Sequence, residues 1–571
     1  MESANTALSL VPDWIRGYDR ARFRGDVIAG VTVGVVLVPQ GMAYALLAGV
    51  PPVYGLYASL IPLLIYSLLG TSRHLAVGVV AIDSLIVAAG IALLAPTTTE
   101  QYLGHVFTLA IMVGVIQIIM GSLRFGFVVN LLSRPVITGF TAAAALIIGM
   151  SQLKHLLGIG LERNLNVFIL LTEAVDRIGE THLLSFAIGA AGILILILCR
   201  KVWPKIPGPL VAVVMSALAV ILFNLDQAGV AIVGTIPAGL PSLSVPAFSM
   251  DSIKALMPIA ITLSLIQFMG VISLGKVFAA KHSYRIFPNR ELVVLGTMNV
   301  AGAVFQSIPV SGSFSRSAVN ERSGAQTPFS NAIAALLIGL VLLFFTPLFY
   351  SLPIPIFASI IMVSAFGLID VREVRYLLTI KAIDGVLALL TFAATLTLGI
   401  HQGVLVGVGM SVIVIMYCIS FPNVAILGRL PGSRSFRNIL NHPEAEQFDD
   451  ILLLRVDASF SFANADRLRD VITREVGKRQ SRAVILDASS INDLDTTALA
   501  VLADTHSVLK EQGVGLYIGG AKTNVLAVFK ASGLAEDMGE DHFFLSPHRA
   551  LTYVLKRWGR DTELDLQITS V

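Results

Sequence analysis

Charge is scarce in this sequence. Of 571 residues only 13% are Asp, Glu, Lys or Arg, while 55% are hydrophobic. Soluble domains carry about a quarter charged residues, so a string of them is excluded. Disorder needs the opposite composition and is excluded too. Lys and Arg exceed Asp and Glu only by 40 to 37 and form no basic run of the kind that follows a phosphate backbone, which argues against a nucleic-acid partner. The two cysteines, Cys199 and Cys418, both sit in apolar stretches and provide neither a disulfide scaffold nor a thiolate zinc cage. His506, His542 and His548 lack a second ligand at metal spacing. With no nucleophile–base pair or phosphate loop either, nothing calls for an enzyme, a cofactor or a metal. The first two dozen residues contain Trp14, Arg16, Arg20, Arg22 and Arg24 but no apolar core with a small-residue cleavage site, so no signal peptide is read there.

What the sequence has in abundance is apolar runs. Over residues 27–420 they recur at the length of about 20 residues that crosses a hydrocarbon core of about 30 Å. About fourteen candidate spans follow from 27–48 to 403–420, the fifth at 126–150, with the third (76–94) and tenth (315–322) short or irregular. Residues 1–26 are expected to form an N-terminal segment, and 421–448 a linker broken by Pro422, Pro431, Gly432 and Pro443. Residues 449–560 alternate β-type runs (Ile451–Val456, Ala483–Leu486, Gly515–Ile518) with charged helical patterns (Asp466–Gly477, Thr496–Gln512), which predicts a small α/β domain, and 561–571 form a tail.

Lys and Arg concentrate in one set of loops, near Arg73, Arg124, Arg200–Lys205, Lys276–Arg290 and Arg372–Lys381. The loops 95–104, 224–252 and 346–354 have none, and 151–182, with Lys154, Arg163 and Arg177, is the exception. The positive-inside rule then places both termini, and the α/β domain, in the cytoplasm.

Polar residues and helix breakers inside lipid are costly unless they line a cavity or pack against protein. Span one contains Pro39-Gln40-Gly41-Met42-Ala43-Tyr44, span three contains Gly78 and Asp83, and the tenth reads Pro309-Val310-Ser311-Gly312-Ser313-Phe314-Ser315-Arg316-Ser317. Gln40 and Tyr44 are open to a bland reading as a packing amide and a buried ring, and Arg316 to one as a residue that snorkels to the interface. Interrupted segments at matching places in two halves of a chain point instead to a transporter site.

The stretch Pro52-Val53-Tyr54-Gly55-Leu56-Tyr57-Ala58-Ser59, continuing to Gly70-Thr71-Ser72-Arg73, resembles the signature of the sulfate permease family of anion transporters. Phe314-Ser315-Arg316-Ser317 and Gly324-Ala325-Gln326-Thr327-Pro328 resemble that family's tenth span, and Val484–Leu502 resembles a STAS domain. The resemblance implies a seven-plus-seven inverted repeat related to that of uracil permeases. Its third and tenth helices are half-helices whose N-termini meet at mid-membrane, where free N–H groups and dipole ends attract an anion. Carried over, the substrate site comprises Gln40, Tyr44, Ala81, Asp83, Ser313, Phe314, Ser315 and Arg316. The resemblance further implies a secondary active transporter of a sulfate-like, bicarbonate-like or carboxylate anion, by alternating access, in the plasma (inner) membrane, with the STAS domain supporting a homodimer.

Two residues depart from the family pattern. Gly270 follows Phe268-Met269 where many members carry a glutamate, and Val79 stands where a proline is common. The first puts proton or sodium coupling in doubt, while Asp83 either replaces the lost acid or caps its helix. Thr496, in Asp495-Thr496-Thr497, matches the phosphorylated position of anti-sigma antagonists, against a reading as a plain helix start. A channel-like anion conductor and a nucleobase–cation symporter of the same fold are the alternative functions.

Overall fold

The computed structural model describes residues 13–560 except 16, 93, 128–132, 162–166, 204–206, 245 and 247–248. The 561–571 tail, Arg16, Arg163 and Lys205 therefore lie outside the described residues. Two compact units divide after Ser411.

The first unit is helical. Helix α1 (Arg20–Leu47) starts where the Asp19 carboxylate accepts the Arg22 N–H at 2.8 Å, seven residues before the expected start of span one, so the arginines Arg20, Arg22 and Arg24 are helical. The second span is broken into α2 (Val53–Tyr57) and α3 (Ile61–Leu69). An extended piece with strand β1 (Val77–Gly78) leads into α4 (Ala81–Ala92), followed by α5 (Thr99–Ser122). Helix α6 (Arg134–Ser151) begins eight residues after the expected start of the fifth span, because Pro135 sets its first turn. Short α7 (Leu153–Leu157) and α8 (Val167–Asp176) precede α9 (Leu183–Val202) and α10 (Gly208–Phe223).

The second half repeats the pattern. It runs through α11 (Met250–Lys281), α12 (Pro288–Val304), strand β2 (Ser311–Gly312), α13 (Phe314–Arg322), α14 (Phe329–Leu340), α15 (Ile354–Phe366), α16 (Val371–Ile380), α17 (Ala382–Leu398) and α18 (Ile400–Ser420). Eight helices of the described residues are long and apolar enough to cross a membrane. With the shorter apolar helices, α12 and α13, the segments number fourteen, seven on each side of residues 224–249.

Close backbone approach explains the signature around Gly55. A Cβ on Gly55 of α2 would collide with the Gly41 carbonyl oxygen of α1, and one on Gly41 would lie 3.1 Å from the Gly55 oxygen. Helices α5 and α12 approach in the same way through Gly114 and Gly296. Small residues let apolar helices pack where lipid supplies no hydrophobic drive. Gly55→Val is accordingly expected to cost about 1–3 kcal/mol, read as a lower melting temperature in detergent. Gly104→Ala, with open space around it, serves as the neutral control. Equal melting temperatures for the two variants would count against this packing account.

The second unit holds a six-stranded sheet in the order β4-β3-β5-β6-β7-β8. Its strands are β3 (Val424–Arg429), β4 (Phe436–Asn438), β5 (Ile451–Val456), β6 (Ala483–Asp487), β7 (Gly515–Gly519) and β8 (Phe543–Phe544). Strands β5 to β8 are parallel, while β3 is antiparallel to both β4 and β5. Between them lie α19 (Ala465–Arg479), α20 (Thr496–Glu511), α21 (Thr523–Ala531) and α22 (Leu534–Met538), and α23 (Pro547–Arg557) follows β8. Period-two alternation sends Leu452, Leu454 and Val456 into one core, and Ile451 and Leu453 into the other, against Leu551 and Val554 of α23. The stretch 421–448 is thus not an irregular linker. Pro422 precedes β3, Pro431-Gly432 turns the chain into β4 and Pro443 follows it, so the breakers bound two strands instead of abolishing them.

Candidate functional site

Two extended pieces cross at the centre of the helical unit. Val77 pairs with Gly312 and Gly78 with Ser311 in a two-residue antiparallel ladder, and the Ser313 N–H donates to the Ala76 carbonyl at 3.0 Å. Side chains hold the flanking backbone. Ser317 Oγ accepts from Ala76 N–H (2.8 Å), Asn331 Oδ1 from Val77 N–H (3.3 Å) and Asn299 Oδ1 from Val310 N–H (2.9 Å), while Asn320 Nδ2 donates to the His74 carbonyl (3.0 Å). Non-helical backbone at this depth needs such partners, since lipid offers none.

Each extended piece feeds a helix N-terminus. The first bonds inside the helices are Ser84 N–H to Val80 O and Ser317 N–H to Ser313 O. The N–H groups of Ala81, Ile82 and Asp83, and of Phe314, Ser315 and Arg316, therefore have no partner within their own helix. Each helix end adds a partial positive charge of roughly half a unit.

Arg316 is fully buried. Its Nη1 reaches Gln40 Oε1 at a long 3.4 Å, while Nε and Nη2 have no partner among the described residues. The guanidinium lies against Gly78, whose φ of +139° disfavours any side chain, and a Cβ there would crowd Nη2 at 3.2 Å. Asp83 is the acidic group whose charge acts on Arg316, yet no ion pair joins the two among the described residues. An unpaired buried cation with idle donors, beside two helix N-termini, is chemically suited to a compact anion.

Gln40, Tyr44, Ala81, Asp83, Ser313 and Arg316 are all buried at this crossing. Phe314 and Ser315 are exposed, Phe314 by 53%, while their backbone N–H groups lie at the helix end. Ser313 Oγ and Ser315 Oγ lie 3.4 Å apart. Sequence reasoning missed Ser84, whose buried hydroxyl has no partner among the described residues, and the amides Gln117, Gln267 and Asn299 behind Asp83. The signal for the amides was their polarity inside apolar runs. In the second unit the Asp495 carboxylate accepts from Ala498 N–H at 2.8 Å and caps α20, leaving Thr496 exposed at its first position.

Residues 23–391 match the sulfate permease family and residues 442–550 the STAS domain. A probable sulfate transporter of Arabidopsis thaliana, 4.2, is 34% identical over 572 residues, covering 97% of this chain and 84% of that protein. Among solved structures, that of SLC26A9 shares the fold with a TM-score of 0.88 at 24% identity, over 97% of this chain and 93% of that one. The transmembrane domain of a cyanobacterial bicarbonate transporter, BicA, gives a TM-score of 0.59 at 24% identity, over 69% of this chain and 98% of that domain. The two domain matches, in this order, and the identity over nearly the whole chain show that the protein belongs to the sulfate permease family: it is a multi-pass helical membrane anion transporter with a C-terminal STAS domain, and not an enzyme.

Proposed function

We propose that this transporter moves a small oxyanion, sulfate first among them, by alternating access as a secondary active carrier, and that the anion binds at the crossing of the two half-helices. The observation that carries the reading is the buried Arg316 guanidinium with two idle nitrogens beside two helix N-termini. Gln40, Tyr44, Ala81, Ser313, the N–H groups of Phe314 and Ser315, and Arg316 surround the anion. Asp83 sets the charge of the site. Two helix ends of roughly half a charge each plus Arg316 give about two positive charges, which balance a dianion when Asp83 is neutral and a monoanion when it is ionised.

Proton coupling through Asp83 is part of the proposal. So is a plasma-membrane location, and so are cytoplasmic termini, an orientation that the loop distribution of Lys and Arg supports. Reconstitution into liposomes with labelled sulfate, bicarbonate, chloride, nitrate and a dicarboxylate, with and without a pH gradient, tests it. Saturable sulfate uptake supports the carrier, and unsaturating current with no uphill uptake would favour a conductor instead.

The STAS domain is proposed to hold a homodimer together without entering the anion path. Because the sheet begins at β3, a chain ending at Ser420 removes it whole, whereas a cut near 438 would leave two orphan strands. The shortened chain is expected to lose its dimer in detergent and keep its anion selectivity. A changed order of preferred anions would overturn this division of labour.

A further inference from the structure

Behind Asp83 lies a chain of buried amides from three helices, whose hydrogen bonds run in one direction. It starts at Val310 N–H, a backbone group that can only donate, and Asn299 Oδ1 of α12 accepts it at 2.9 Å. That orientation turns Asn299 Nδ2 towards Gln117 Oε1 of α5 and Gln267 Oε1 of α11, each 3.1 Å away. Gln117 Nε2 also donates to Gln267 Oε1, at 3.0 Å. The Gln267 oxygen is thus occupied by two donors, and its Nε2 is left to donate to Asp83 Oδ2 at 3.0 Å. Amide orientation is settled by such a network. Turning Gln267 round would set donor against donor at buried positions, where unmade bonds cost most.

We propose that Gln267 is a positioning residue for Asp83: locked by Gln117 and Asn299, it holds Oδ2 as an acceptor, so that a proton on Asp83 resides on Oδ1, and it links the charge on Asp83 to the backbone of the tenth segment at Val310. This rests on the proposed role of Asp83 as the coupling group. The chain starts at the residue just before β2, which leads into α13 and Arg316, so the two half-helices are joined both at the crossing and through this rear path. The remaining surroundings of Asp83 are simple. Arg316 of α13 is the charged group that acts on it, and Tyr44 of α1 is the titratable group on the far side of that guanidinium. Helix α6 has none between Pro135 and Ser151, α5 has Glu100, Tyr102 and His105 towards one end, α1 has Arg20, Arg22, Arg24 and Asp26 at its start, and α11 has Asp251, Lys254, Lys276 and Lys281 near its ends.

The test measures sulfate uptake from pH 5 to 8 in liposomes containing wild type, Gln267→Met, Asp83→Asn and the double variant. A donor on a carboxylate favours its ionised form. Gln267→Met is therefore expected to move the half-point of the pH profile upwards by about one unit, with uptake at acid pH retained. The double variant should match Asp83→Asn alone. Gln117→Met, which removes one lock and not the donor itself, should give a smaller shift in the same direction, and it provides the readout if Gln267→Met does not fold. An unmoved profile in a transporting variant, or the same change in the Asp83→Asn background, would overturn the inference. A flat wild-type profile would overturn the coupling role of Asp83 and this inference with it. A sloping wild-type profile that Asp83→Asn abolishes and Gln267→Met leaves in place overturns the inference alone.

Discussion

Replacing Arg316 by methionine is expected to weaken sulfate affinity by roughly 10- to 100-fold while leaving the protein folded. The size follows from losing charge-assisted hydrogen bonds to the anion, about 1.5–3 kcal/mol. Folding is spared because, among the described residues, the guanidinium makes little use of its surroundings: one contact of 3.4 Å to Gln40, and two nitrogens without partners. A buried cation with so few partners strains the empty protein, and an apolar residue of similar volume is often neutral or stabilising at such a place. The empty Arg316→Met protein should therefore melt no lower than wild type. Wild type should gain thermal stability with added sulfate, as any ligand of the folded state confers, and the variant should not. Unchanged apparent affinity for every transported anion would remove Arg316 from the site. A variant that fails to fold would show instead that the guanidinium is structural.

Where local pattern carried the information, sequence and structure agree. Ile451–Val456 is a strand with the expected bounds, and the helix read at Thr496–Gln512 spans Thr496–Glu511, because short apolar runs and a capping Asp495 mark their own ends. The half-helices were visible through Gly78 and Pro309, residues that a continuous span would avoid. The breakers at 422–443 misled, since proline and glycine signal a turn as readily as the end of all structure. The amide chain was invisible for a different reason. Gln117, Gln267 and Asn299 sit in three helices, the first separated from the second by 150 residues, and each taken alone reads as a packing amide. Only the fold brings them to one carboxylate. At Phe314 and Ser315 the motif marks the helix start, and the fold adds that their side chains are exposed while Arg316, next in the same turn, is buried.

The second large effect is expected at Asp83. It lies in the first turn of α4, where an ionised carboxylate and the anion compete for the same positive field. Its single described hydrogen bond comes from Gln267, and it makes no ion pair with Arg316, so nothing described in the fold fixes it permanently as a partner of the cation. Neutralising it adds about one positive charge to the balance at the site, which favours a dianion. Proton uptake and sulfate binding then assist each other, and by linkage each strengthens the other by the same factor. Sulfate affinity should therefore rise as pH falls, and an inward proton gradient should drive uphill accumulation. Asp83→Asn keeps the shape and removes the charge. It is expected to bind sulfate at neutral pH as wild type does at acid pH, and to lose accumulation driven by the gradient while still exchanging labelled for unlabelled sulfate. The size of the gain at neutral pH reports the charge term directly: a two- to tenfold rise in affinity corresponds to roughly 0.4–1.4 kcal/mol. Wild-type uptake that ignores pH between 5 and 8, with Asp83→Asn indistinguishable from it, would leave Asp83 as a helix-cap residue and the protein as an exchanger whose driving force is the second anion.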